Sequence, residues 1–83
     1  MRVILYSRPD CPLCDEVKQD LADWQQALGF GLSVRNVEEN TEELARFRYL
    51  VPVIEIEGGP LLYPPHEWHE VDATLRSYAR EGV

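Results

Sequence analysis

Residues 7–20 read SRPDCPLCDEVKQD, from Ser7 to Asp20, and place two cysteines, Cys11 and Cys14, three positions apart. An apolar run stands just before them and a helical pattern just after. Three readings are open at this point: a redox dithiol, two ligands of a metal site, or two small apolar residues that happen to be near each other. What lies on either side decides among them.

On the amino-terminal side, Val3, Ile4, Leu5 and Tyr6 form a continuous apolar run that Ser7, Arg8, Pro9 and Asp10 interrupt. This predicts a strand over Arg2 to Ser7 and a loop over Pro9 to Cys11. An unbroken apolar strand is covered on both faces, so it is expected at the centre of a sheet. On the carboxyl-terminal side, Val17, Leu21, Trp24 and Leu28 recur every three or four residues among charged and amide side chains, the mark of an amphipathic helix. Pro12 suits its first turn and Gly29 its carboxyl-terminal cap, which gives a helix from about Pro12 to Leu28. The cysteines therefore stand where a strand hands over to a helix.

Further along, Phe30 to Val37 is expected to be a second, less buried strand. Asn40 followed by Glu43 fits a capping box ahead of Leu44, Phe47 and Tyr49, predicting a short helix from Thr41 to about Arg48. The stretch VPVIEIEGGPLLY, residues 51–63, reads as a hairpin: Val53 to Ile56, a Gly58-Gly59 turn, and a return over Leu61 to Tyr63 that Pro60 assigns to a sheet edge. Trp68, Val71, Leu75 and Tyr78 form a last helical stripe, ending near Arg80 before Gly82. Strand, helix, strand, helix is an α/β order, and the first crossover is long enough to return parallel and right-handed.

The 83 residues suit a single domain, spanning 1–83, with one core. Fifteen acidic against eight basic side chains give a formal charge of −7, which argues against a nucleic acid as partner. No apolar run is long enough to span a bilayer, and MRVILYSR lacks the length of a signal peptide's apolar region. No membrane partner and a cytoplasmic location are expected. Two cysteines are too few for a secreted disulfide scaffold, and in a reducing compartment their spacing points to exchange chemistry or metal binding.

An exchanging dithiol needs one thiolate to attack and a second thiol to resolve the mixed disulfide. Cys11, at the helix start, faces unpaired N–H groups and the positive end of the helix dipole, both of which favour a thiolate. Arg8 adds to this; Asp10, Asp15 and Glu16 oppose it, so a moderately depressed Cys11 pKa is expected. Cys14, a turn inward, is the resolving thiol. A zinc site would need about four ligands, and the further soft candidates are His66 and His69, which read as surface or cap residues. Trp24 and Trp68 read as core or rim packing, and Tyr63 as a packing residue.

Taken together, a strand, Cys11-Pro12-Leu13-Cys14 opening a helix, and a later Val51-Pro52-Val53-Ile54 followed by Gly58-Gly59 resemble the small glutaredoxin-like proteins of the thioredoxin-fold superfamily, over essentially the whole chain. The resemblance implies an α/β thioredoxin-like fold, a four-stranded mixed sheet with three helices packed on both faces and the first strand beside the hairpin. It also implies a cis bond between Val51 and Pro52, with Pro52 facing the cysteines and Val51 offering main-chain groups to a substrate. Leu13 replaces the tyrosine of the family's CPYC site, and Val51 the common threonine. Pro60, Leu61, Leu62 and Tyr63 follow Gly58-Gly59 where an acidic pair holds the glutathione amino group in the family. Arg8 keeps the position of the basic residue that meets the glutathione glycyl carboxylate.

The expected function is thiol–disulfide exchange on a protein or small-molecule disulfide. Cys11 and Cys14 are catalytic, Pro12, Arg8 and Pro52 support them, and Leu13 and Val51 contact substrate. No tightly bound cofactor or metal is expected. Glutathione and a thioredoxin-reductase-type enzyme are the two candidate reductants, with glutathione the poorer match. Two rival readings are an iron–sulfur or metal-linked glutaredoxin relative, and a non-enzymatic binding or redox-sensing module.

Overall fold

The computed structural model describes residues 1–81. The chain runs through β1 (Arg2–Ser7), α1 (Pro12–Leu28), β2 (Gly31–Asn36), a 3-10 turn (Val37–Glu39), α2 (Thr41–Phe47), β3 (Val53–Ile56), β4 (Leu61–Leu62) and α3 (Trp68–Glu81). The strands form one sheet in the order β2-β1-β3-β4. β1 pairs parallel with β2, placing Val3 beside Leu32, and antiparallel with β3, placing Val3 beside Ile56. β4 pairs antiparallel with β3, with Leu62 beside Ile54.

Val3 to Tyr6 of β1 form an unbroken apolar run because the strand has a neighbour on each side and packing on each face. Val3 and Leu5 point into a cluster with Ile54, Ile56, Val17 and Leu21 of α1, and Val71 and Leu75 of α3. Tyr6 points the other way, against Val37, Phe47 of α2, and Val53. Burying a leucine of this kind fully is worth about 1.5–3 kcal/mol, so Leu5, Leu21 and Leu75 are principal anchors. α1 and α3 thus cover one face and α2 the other. Gly29 closes α1 in the left-handed conformation, at φ 75°, its N–H bonded to the Gln25 carbonyl at 2.7 Å.

Several boundaries differ from those the pattern predicts. Phe30 and Val37 are both buried but lie outside β2; after Asn36 the strand ends because that side chain accepts the Glu38 N–H at 3.0 Å and bends the chain into the 3-10 turn. Only half of the capping box forms. Asn40 accepts the Glu43 N–H at 2.9 Å, while the Glu43 carboxylate turns to Arg35 and the Asn40 N–H bonds the Val37 carbonyl. α2 stops at Phe47, leaving Tyr49 85% exposed and outside the core. Tyr63 lies beyond β4 and is 46% exposed, outside both core clusters.

α3 begins at Trp68, and Gly82, expected just past its end, lies outside the described residues. Near the far end of α3, the Tyr78 ring lies so close to Gly59 that a Cβ there would come within 2.8 Å of it. A side chain at this turn position would require the Tyr78 ring to shift. No helix among the described residues is long and apolar enough to cross a membrane.

Candidate active site

Cys11 is the N-cap of α1, with extended backbone at φ −117°, and Pro12 follows in the first turn. Its sulfur accepts the Cys14 N–H at 3.1 Å. A backbone donor aimed at the sulfur favours negative charge there, the thiolate over the thiol. Cys11 and Cys14 are joined as a disulfide, with Cα atoms 5.2 Å apart. They differ in access: Cys11 is half-buried, whereas Cys14 is 2% exposed. Asp10, just before them, holds φ 56°, a left-handed conformation that aspartate tolerates better than most side chains.

The other sequence-predicted residues divide between two sides of the pair. Arg8, Pro12 and Val51 share one open hollow with Cys11, together with Glu38. In that hollow the Arg8 guanidinium is already engaged. Its Nε and Nη2 donate to Glu38 Oε2 at 3.1 and 3.0 Å, and its Nη1 donates to the Arg48 carbonyl at 3.2 Å. Val51 is half-buried, and its N–H bonds the Phe47 carbonyl at 3.1 Å, so the carbonyl is the main-chain group it presents. The Val51–Pro52 bond is cis and Pro52 is buried.

Leu13 projects to the other side, 49% exposed, at the head of a groove between α1 and the start of α3. His66 and Trp68 also line this groove. The ring of His66 places Nε2 at 2.9 Å from the Pro52 carbonyl. A carbonyl only accepts, so Nε2 carries the hydrogen and donates. His66 thereby ties the segment before α3 to Pro52, the residue after the Val51 that borders the Cys11 hollow. The sequence reading of His66 as a surface or cap residue missed this contact, which joins residues 14 positions apart. Its only signal was a histidine after Pro64-Pro65 in a chain with two histidines.

Trp68 takes the rim position of its reading. Its ring packs at a tilt on Trp24, centroids 4.7 Å apart, and is 54% exposed, because it is the first residue of α3 and stands beyond the buried Val71 and Leu75. Trp24 is half-buried and donates its indole N–H to Asp72 at 2.9 Å. That bond, with Arg76 on the same carboxylate, holds the Asp72 carboxyl below its usual range. Among the described residues no three His, Cys, Asp or Glu side chains converge as a metal site.

A sequence model of the Glutaredoxin-like domain (DUF836) matches residues 2–76, a span that includes both cysteines and Pro52. The chain belongs to this family. Two solved structures share the glutaredoxin-like chain's architecture. The Northeast Structural Genomics target protein XcR50 from X. campestris is 27% identical, with a TM-score of 0.74 over 90% of this chain and 96% of its own. Thioredoxin 1 from the thermophilic eubacterium Thermosipho africanus TCF52B is 17% identical, with a TM-score of 0.79 over 99% of this chain and 98% of its own. No curated protein matches significantly. The fold of this glutaredoxin-like chain is thioredoxin-like, three helices on a four-stranded mixed sheet, with a close cysteine pair at the start of its first helix.

Proposed function

We propose that this glutaredoxin-like domain is a thiol–disulfide oxidoreductase that reduces protein or small-molecule disulfides. In the reduced protein the Cys11 thiolate attacks one sulfur of the substrate disulfide. A new S–S bond joins Cys11 to that half of the substrate, and the other half leaves as a thiolate that takes a proton. Cys14 loses its proton and attacks the Cys11 sulfur, releasing the second half as a thiol and leaving the Cys11–Cys14 disulfide. Two electrons have then passed to the substrate, and a separate dithiol donor restores the starting state.

The observation that carries this reading is the unequal access of two bonded sulfurs: Cys11 on the helix cap is reachable, and Cys14 beneath it is not. Pro12 fixes the backbone of the first turn between them, limiting how the donors around Cys11 move. Pro52 and the Val51 carbonyl supply the surface against which a substrate lies, with His66 holding that surface in place.

For the donor, a protein dithiol reductase of the thioredoxin-reductase type fits better than glutathione. Arg8, which would take the glycyl carboxylate, is paired with Glu38, and Pro60 and Leu61 stand where the acidic pair would hold the amino group. The same misfit removes the glutathione that a cluster-bridging relative would need at its first cysteine, so no step is assigned to a cluster. A cytoplasmic setting, where dithiol reductants are held reduced, suits the reaction. The charge of −7 favours a disulfide-bearing protein over nucleic acid or an anionic membrane surface as partner.

The test is reduction of bis(2-hydroxyethyl) disulfide and of a disulfide-linked peptide by the pre-reduced protein. Cys11→Ser is expected to abolish both. Cys14→Ser is expected to stop at a mixed disulfide, visible as the added mass of one substrate half. Turnover supported by the reductase without glutathione would identify the donor. An unreactive Cys11 in the reduced wild-type protein overturns the reading.

A further inference from the structure

The groove that starts at Leu13 has a composition the exchange chemistry does not require. Its volume is about 250 Å³, and Trp24 and Trp68 form its apolar wall. Glu16 and Asp20 stand along the same wall, and Asp23 borders the adjoining hollow shared with Asp20 and the two tryptophans. Among the described residues none of these three carboxylates is in a salt bridge; Asp23 receives a hydrogen bond from Gln19 at 3.4 Å. Elsewhere on the surface, Glu38, Glu43 and Asp72 each pair with an arginine.

Crowding of like charge is visible at Asp20. Its carboxyl is pushed above the usual range, first by burial and then by Asp23 and Glu16. Three uncompensated carboxylates beside two aromatic faces provide what an ammonium or guanidinium recognises: opposite charge, and a ring face for the cation to lie over. Leu13 heads the groove and stands two positions after Cys11, so the groove begins within one helical turn of the place where a substrate sulfur must be.

Leu13 and Asp20 are seven positions apart on α1, a rise of roughly 10 Å, which an extended substrate chain covers in about three residues. We propose that the groove selects disulfide substrates carrying an arginine or lysine about three residues from the half-cystine, beside an apolar side chain; the inference rests on the exchange reaction proposed above. Leu13 and Trp68 contact the apolar side chain, Glu16, Asp20 and Asp23 hold the cation, and Trp24 closes the wall behind it. The occupant is thus a basic, amphipathic segment of a substrate protein.

The test compares two disulfide-linked peptide dimers of identical composition. One carries arginines three residues from its cysteine on either side; the other carries the same arginines eight residues away. Equal net charge removes steering by the whole protein from the comparison, leaving the placed cation. Pre-reduced protein is expected to reduce the near-arginine peptide about tenfold faster, measured as a second-order rate constant for peptide thiol release.

The ratio is expected to shrink with added salt, and to fall toward one in the combined variant Glu16→Gln, Asp20→Asn, Asp23→Asn. Using a ratio cancels any change these substitutions make at Cys11, since both peptides meet the same thiolate. Trp68→Ala, at an exposed position, is expected to lower the ratio several-fold. Equal rates in the wild-type protein, or an unchanged ratio in the combined variant, overturn the selectivity while leaving exchange intact. Failure to reduce either peptide or bis(2-hydroxyethyl) disulfide overturns the exchange reading, and the selectivity falls with it.

Discussion

α1 and α2 begin on the same hydrogen bond made by different atoms. At α1, Cys11 is extended, φ −117°, and its sulfur accepts the N–H three positions on, at 3.1 Å. At α2, Asn40 is extended, φ −137°, and its amide oxygen accepts the N–H three positions on, at 2.9 Å. Asparagine is among the best residues for this position, whereas a neutral sulfur is a weak acceptor. The seven-residue α2 needs a strong cap to exist at all. The 17-residue α1 is held by Val17 and Leu21 in the core and tolerates a weak one. Its start is therefore free to carry an atom chosen for reactivity, one that becomes a good acceptor when it carries negative charge.

Giving α1 the cap of α2 is the strongest way to break this comparison. Cys11→Asn is expected to abolish disulfide reduction while making the protein more stable than the reduced wild type by about 0.5–1 kcal/mol, measured by urea unfolding under reducing conditions. Retained activity would mean that the cap is not the reacting atom. The converse change, Asn40→Ala, is expected to lower stability by about 1 kcal/mol, or about 4–8 °C in Tm, with the exchange rate unaltered.

An effect of similar size concerns what else holds α2. Phe47 packs on Tyr6, ring centroids 4.5 Å apart, and the Tyr6 hydroxyl donates to Glu55 at 2.6 Å. Burial, then the Glu55 hydrogen bond and charge, push the Tyr6 pKa up from 10.0 to about 12. A folded value above the unfolded one means that this contribution is complete below pH 10 and is lost as pH rises through about 12. Tyr6→Phe is expected to flatten that alkaline loss in urea titrations and to lower neutral-pH stability by about 1 kcal/mol. The smallest expected change is Asp10→Gly, which relieves a left-handed aspartate but adds freedom to the unfolded chain, leaving stability within about 0.5 kcal/mol of wild type.

Much of the framework was legible because each signal had one local cause. The apolar run of β1, the stripe of α1 and the glycine after it, and the short helix behind Asn40 all stand where composition and spacing put them. Boundaries slipped where a side chain bent the backbone, as Asn36 does before Val37. Cys11 and Cys14 were legible because their spacing coincides with a helix start. Arg8–Glu38 and His66–Pro52 were not, since each joins segments that only the folded sheet brings together and leaves no periodic trace. Trp68 was legible as core or rim from the helical stripe, and its place at the first position of α3 decides for the rim.

The contact between Tyr78 and Gly59 has a consequence for the edge of the sheet. β4 is two residues long and has a neighbour on one side only. What packs on its turn is a ring carried by the last part of α3. A version shortened before Tyr78 would keep its cysteines, its cap and the buried residues of both clusters, yet lose the ring that packs on the turn into its outermost strand.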